Sequence, residues 1–364
     1  MKLRTLLAGG VFAAGLAACG GEGGQAPAGE ANTDAAASTA RSEIRIVGSS
    51  TVYPFSTKVA QEFKNKTGVN VVVESTGSGG GHKLFCDGAG MDTPDITNSS
   101  RRQKESELAA CHANGVDEVV EVMIGYDGIV IGNLREGPEF NLSLKQVYQA
   151  FAKELPTSDD DCTMVANGYN NWSEIDPSLP NETIEGYGPP PTSGTRDAFV
   201  EIAMEGGAKA YPCLAALADS DEDAFLAAAH TVREDGRWID SGENDNVIVQ
   251  TLVNTPTAVG VFGYSFLAQN TDKIKGATVD GAEPSFENIT TGDYPISRSL
   301  FFYVKASHME EIPAIRQYAL EFLSDEAAGE GGYLEEIGLV PATDEARAAY
   351  RDAVVTGTGY AHEE

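Results

Sequence analysis

Positive charge is scarce in this chain: 25 Lys and Arg stand against 55 Asp and Glu in 364 residues, a net charge of −30 with the histidines neutral. So acidic a protein is repelled by other polyanions, which excludes nucleic acid as a partner. Histidine is rare too, five in all at 82, 112, 230, 308 and 362, and none has the close spacing of a metal-dependent hydrolase. No Gly-Lys dipeptide occurs, so a Walker-type phosphate loop is absent. Beyond the first 18 residues no apolar run is long enough to span a bilayer. What the chain does have is 41% hydrophobic residues and 40 glycines, enough for a core and for many turns, and incompatible with wholesale disorder.

The N-terminus places Lys2 and Arg4 before an apolar run from Leu6 to Ala18, the pattern of an export signal over 1–18. It ends in Leu16-Ala17-Ala18-Cys19, which resembles a bacterial lipobox, so Cys19 is the expected lipidation site and the new N-terminus. Each buried acyl CH₂ contributes roughly 0.8 kcal/mol, and two or three chains hold a protein at a membrane. Residues 19–42 are Gly, Ala, Ser, Thr and Pro with scattered acids, a flexible linker that cannot bury a core. The exported protein would carry 23 cations against 55 acids, or −32.

Four cysteines remain, Cys86, Cys111, Cys162 and Cys213, and an even number in an oxidising compartment suggests two disulfides. Three connectivities are open; pairing by proximity gives Cys86 with Cys111 and Cys162 with Cys213. A zinc site is disfavoured by the lack of any Cys-x-x-Cys or Cys-x-x-His spacing.

Past residue 42, β-branched runs alternate with amphipathic stretches, the signature of an α/β fold with helices on both faces of its sheets. Strands are expected at 43–47, 69–75, 119–124, 128–132, 183–187, 258–264 and 301–304, and helices at 53–65, 143–151, 196–204 and 313–323. Four segments then share one design, a strand end, a Gly/Ser/Thr cluster and a helix start: 48–54, 75–81, 95–101 and 191–196. Helix starts offer unpaired N–H groups and partial positive charge, hydroxyls add donors, and glycine permits close approach. A single cluster of this kind is ordinary capping chemistry. Four in one chain, two of them with an arginine, point to an oxyanion site.

The runs GSSTVYPF, STGSGGGHKLFC, DITNSSR, YDGIVI, SGTRDAF, DNVIVQ and VGVFGYSFL follow one another in an order that resembles periplasmic phosphate-binding proteins of the PstS/SphX type over about residues 43–345. That resemblance implies a two-lobed type II periplasmic binding protein, each lobe a mixed sheet flanked by helices, joined by two crossover strands. Lobe 1 would take 43–130 and 263–364 with the C-terminal tail, and lobe 2 residues 131–262, with hinges near 125–133 and 259–264. It implies a periplasmic, lipid-anchored monomer that binds inorganic phosphate and hands it to the permease subunits of an ABC importer, with no cofactor and no catalysis. The phosphate contacts it implies are Ser50, Thr51, Ser78, Gly79, Ser100, Arg101, Ser193, Gly194, Thr195 and Arg196.

The sequence departs from the best-known branch of that family. An aspartate usual after the serine of the third motif is replaced by Ser100-Arg101, and Gly188-Pro189-Pro190-Pro191 stands where an Arg-x-Asp pair precedes SGT. A carboxylate can accept the proton of phosphate, whereas sulfate has none to give, so the acceptor carries selectivity. Asp127 is the first candidate to replace it, ahead of Asp197 and Asp95. Two other readings compete: a phosphate-ester hydrolase on the same fold, with Ser193 as nucleophile but no base identified, and a receptor for sulfate or molybdate. An adhesive surface lipoprotein has little behind it beyond acidity and six Asn-x-Ser/Thr triplets, among them those at Asn65 and Asn171.

Overall fold

A computed structural model describes residues 43–242 and 245–360. The expected export signal, Cys19 and the linker lie outside the described residues.

Alternating β-branched side chains build the first sheet. Glu43–Gly48 pairs in parallel with Asn70–Ser75 on one side and with Ile96–Ser99 on the other. Ile44 and Ile46 are buried against Phe55, Val59 and Phe63 of the helix Tyr53–Thr67, which carries proline in its first turn, where a missing N–H costs nothing. Each of these strands delivers its C-terminal end to the same edge of the sheet, which is where the hydroxyl clusters begin.

The organising element is one strand of 16 residues, Val119–Leu134. The sequence predicts two strands here, 119–124 and 128–132. They run together because Gly125, at φ 149°, bends the backbone without ending the ladder, and Tyr126 and Asp127 stay paired with Ser299 and Arg298 of the antiparallel strand Ser297–Lys305. The second half of the long strand pairs antiparallel with Val259–Gly263, and the sheet continues in parallel through Gly186–Gly188 to Trp238–Asp240.

Two cores divide along this strand. Val120, Val122 and Ile124 pack with Ile44, Phe302, Tyr318 and Phe322; Ile129 and Ile131 pack with Phe151, Trp172, Phe199 and Val261. The chain therefore passes from one core to the other between Ile124 and Ile129. It returns along Ser297–Lys305, since Tyr294 and Ile296 lie in the second core and Leu300 and Phe302 in the first. This differs from the return expected at 259–264. Val259–Gly263 stays within the second half, paired with Ile129–Asn133, and Ala277, Val279 and Ile289 pack there as well.

Cys86 is bonded to Cys111 and Cys162 to Cys213, one bridge in each half. The loops they close, with sequence separations of 25 and 51, correspond to roughly 3–4 kcal/mol of unfolded-state entropy each. The helix expected at 196–204 is longer, running unbroken from Gly194 through a wider π turn at Phe199–Met204 to Lys209. The C-terminal segment forms a helix, Asp344–Thr356, capped by Thr343, whose hydroxyl accepts from the Ala346 N–H. No helix among the described residues is long and apolar enough to cross a membrane.

Candidate functional site

Ser50 and Thr51 occupy the turn between the strand end at Gly48 and the helix Tyr53–Thr67. Ser193 caps the long helical run of the other half, accepting from the Thr195 N–H at 3.2 Å. The two turns meet at Gly194, where a β-carbon would lie 3.1 Å from the Thr51 Cα and 3.2 Å from the Ser50 carbonyl oxygen. Any larger residue there would push the neighbouring backbone back by a few tenths of an ångström, so glycine suits the approach. Beside the contact lies a cavity of about 570 Å³ lined by Ser50, Thr51, Asp127, Thr192, Ser193, Gly194 and Thr195, with Tyr53, Asp245, Asn246, Phe266, Glu336 and Ile337 completing its wall. Hydroxyls and helix-start N–H groups from both halves thus converge on one space.

Asp127 enters this cavity from the long strand and is 7% exposed. Burial drives its carboxyl up to about pKa 6; Arg298 pulls the other way and Glu201 reinforces the rise. Arg298 is its cross-strand partner in the ladder. Asp127 Oδ2 and Arg298 Nε stand 3.8 Å apart, within ion-pair reach but beyond a hydrogen bond, and both are buried polar atoms without a hydrogen-bond partner. Such a pair of orphans is costly unless something fills the gap between them. An anion that keeps one proton fits, accepting from Arg298 and donating to Asp127. Asp197 reaches from the helical run to the Ser50 hydroxyl, and burial raises its pKa also.

Several residues singled out by the sequence are not brought together here. Arg101 spends its fork on Glu107, at 2.9 and 2.7 Å. Ser78 and Ser100 bond each other at 3.1 Å, and with Gly79 they lie outside the cavity lining. Arg196 turns into its own half, donating to Asp240 and the Pro189 carbonyl at 3.1 Å and stacking over Trp238 at 4.7 Å. Asp95 accepts from the Arg45 N–H and pairs with His308 Nδ1, both at 2.7 Å, deep in the first core. For Ser78, Ser100, Arg101, Arg196 and Asp95 the cause is common: each has found a polar partner within its own half. Among the described residues no histidine lines the cavity, and no cluster of His, Cys, Asp and Glu could hold a metal.

Arg298 is the candidate residue the sequence reading missed. It lies near the start of the strand in SRSLFFYV with no glycine or helix start to mark it, and only the register opposite Asp127 gives it a place. Asp245 and Asn246 were within reach, as the opening of the DNVIVQ run; Asp245 Oδ2 accepts the Gly263 N–H at 3.0 Å.

A model of the PBP superfamily domain matches residues 33–326. The chain is 29% identical to the protein SphX of a Synechocystis species over 83% of this chain and 79% of that one. It is 27% identical to the phosphate-binding protein PstS of Staphylococcus saprophyticus, over 89% and 85% of the two chains. A crystal structure described as a possible phosphate-binding protein from Planctomyces limnophilus superposes with a TM-score of 0.68 at 26% identity, covering 86% of this chain and 98% of that one.

Proposed function

The chain belongs to the PBP superfamily, with the fold of a type II periplasmic binding protein, and from that membership we propose that it captures inorganic phosphate in its cleft and presents it to the permease of an ABC importer. The observation that carries this reading is Asp127, on the wall of a cavity ringed by hydroxyls from both halves, whose Oδ2 lacks a hydrogen-bond partner, as does Nε of Arg298 beside it and behind the lining. Hydrogen phosphate supplies both missing partners: one P–OH for Asp127 and charged oxygens for Arg298. Thr51 and Ser193, whose hydroxyls accept from Arg298 and the Thr195 N–H and keep their own protons, give neutral donors, Ser50 joins them when it lets go of Asp197, and the backbone at Gly194 and Thr195 presents the positive end of the helical run. The relatives named phosphate-binding proteins support the ligand.

The halves built around the two cores act as lobes, hinged where the long strand and its antiparallel neighbour cross between them, near 125–128 and 296–299. Ser78, Gly79, Ser100, Arg101 and Arg196 play no part in this reading, because their polar groups are satisfied elsewhere or lie outside the cavity. No covalent step is needed: the protein is a receptor rather than an enzyme, working as an exported monomer tethered through Cys19.

Calorimetry on the refolded, phosphate-stripped domain with phosphate, sulfate and molybdate tests the reading, followed by incubation with a chromogenic phosphate ester. One-to-one phosphate binding with no sulfate heat and no turnover is the expected result. Turnover abolished by Ser193→Ala would make the protein a hydrolase, and preference for molybdate or sulfate would reassign the receptor.

A further inference from the structure

The charges on the cavity wall are all of one sign. Among the described residues that line it, Asp127, Asp245 and Glu336 are acidic and none is Lys, Arg or His. Asp245 gives one oxygen to the Gly263 N–H, and Asp127 stands beside Arg298, behind the lining. Glu336 is exposed on the short turn Glu335–Ile337 and has no hydrogen bond or ion pair among the described residues. A bare phosphate ion therefore meets more negative charge on this wall than positive. Size points the same way. The cavity measures about 570 Å³, within the roughly 300–1,000 Å³ of pockets that hold small organic molecules and far more than a five-atom oxyanion fills. That volume is not the gap of parted halves, since the two already touch where Gly194 packs on Thr51. Apolar side chains share the wall with the hydroxyls: Tyr53, Phe266 and Ile337, of which Tyr53 is 38% and Ile337 40% exposed. Phosphate has no use for them, whereas an aromatic face attracts an ammonium group.

We propose that the cleft recognises phosphate as part of a larger zwitterion: a phosphate monoester or phosphonate whose short organic arm ends in an ammonium group. The phosphoryl oxygens take the hydroxyl turns at Thr51 and Ser193, the arm lies against Tyr53, Phe266 and Ile337, and the ammonium group meets Glu336. A monoester keeps one ionisable P–OH, so the partner of Asp127 is retained. A zwitterion also escapes much of the long-range repulsion that a chain of net −30 exerts on a bare anion. The inference rests on the phosphate reading of this cleft and adds the substituent to it.

The test is calorimetry on the phosphate-stripped protein with inorganic phosphate, ethyl phosphate, phosphoethanolamine and phosphoglycolate, in wild type, Glu336→Gln and Glu336→Lys, with a chelator present. Phosphoethanolamine should bind roughly tenfold or more tightly than ethyl phosphate, and phosphoglycolate, with a carboxylate in place of the amine, roughly tenfold or more weakly. Glu336→Gln should remove most of the amine's advantage and Glu336→Lys should reverse the order. Each is read as a ratio of dissociation constants within one variant, so a general loss of binding does not imitate the effect, and thermal melts without ligand establish that the variants are folded. Inorganic phosphate bound while every substituted phosphate is refused would close the cavity to an organic arm. Equal affinity whatever the arm, or a preference for the amine that survives Glu336→Gln, would leave Glu336 idle. Phosphate binding that appears only when calcium or magnesium replaces the chelator would give the carboxylates to a metal ion. Any of these overturns the proposal and leaves phosphate recognition standing. A wild type that binds none of the four, with or without metal, defeats the reading of the cleft as well.

Discussion

Asp127 sets the chemistry of the cleft through its burial. With its carboxyl raised to about pKa 6, it is ionised at neutral pH, and in the proposed reading it accepts a hydrogen bond from phosphate while repelling sulfate. As pH falls through about 6 the carboxyl protonates and becomes a donor, so sulfate affinity should climb by up to about tenfold per pH unit while phosphate, which can still share one proton, loses little. Asp127→Asn should show the same loss of discrimination at every pH, read as a ratio of dissociation constants. The stability sign follows from the same shift. The folded-state pKa lies above the unfolded one, so ionisation works against the unliganded fold as pH rises from about 4 to 6. Asp127→Asn should therefore stabilise the empty protein by about 3 kcal/mol at pH 7 and by nothing below pH 4, measured by denaturant unfolding.

The arginines divide by what they already hold. Arg298→Ala removes a charge-assisted contact worth about 1.5–3 kcal/mol, so phosphate affinity should drop roughly 10- to 100-fold in calorimetry. Arg101→Ala should leave affinity unchanged, because its fork belongs to Glu107. Equal losses in the two variants would return Arg101 to the site.

Among elements, the long strand Val119–Leu134 matters most, because it belongs to both cores. Its continuity depends on Gly125, where φ is 149° and a β-carbon would sit 2.5 Å from the Val340 carbonyl oxygen. Gly125→Ala should cost at least about 1–3 kcal/mol, seen as a lowered Tm, since the backbone conformation and the contact with the neighbouring strand are both lost. The sequence showed the two apolar runs on either side of Gly125 and hid their union, because a glycine between two β-branched runs reads equally well as a turn. The helix at Asp344–Thr356 carried a readable start in Thr343-Asp344-Glu345, and its apolar face was too sparse to mark its length. Hydroxyl clusters at 50–51 and 193–195 were legible, since strand-to-turn-to-helix chemistry is written in consecutive residues. The pairing of Asp127 with Arg298 was not, because cross-strand register joins positions remote in sequence.

At the scale of the whole molecule, a chain of net −30 repels the anion it is proposed to bind. Long-range steering is then unfavourable, and capture depends on short-range donors inside the cleft. Raising salt from about 10 to about 150 mM shortens the Debye length from roughly 30 to roughly 8 Å and should speed phosphate association severalfold. A basic receptor would slow under the same change, so stopped-flow rates falling with salt would contradict this account.

Composition and local pattern alone determined the α/β character, the net acidity, the family resemblance and the hydroxyl turns beside the cavity, because each is fixed by composition or by residues adjacent along the chain. Tertiary structure decided which charged groups pair off and which stand side by side near the cavity. Arg101, Arg196 and Asp95 each found a closer partner within their own half, at Glu107, Asp240 and His308. Arg298 and Asp127 were placed side by side by strand register, with one buried polar atom each left unsatisfied. A buried charge goes to whichever opposite group lies nearest in space, and distance in space is what one-dimensional spacing does not contain.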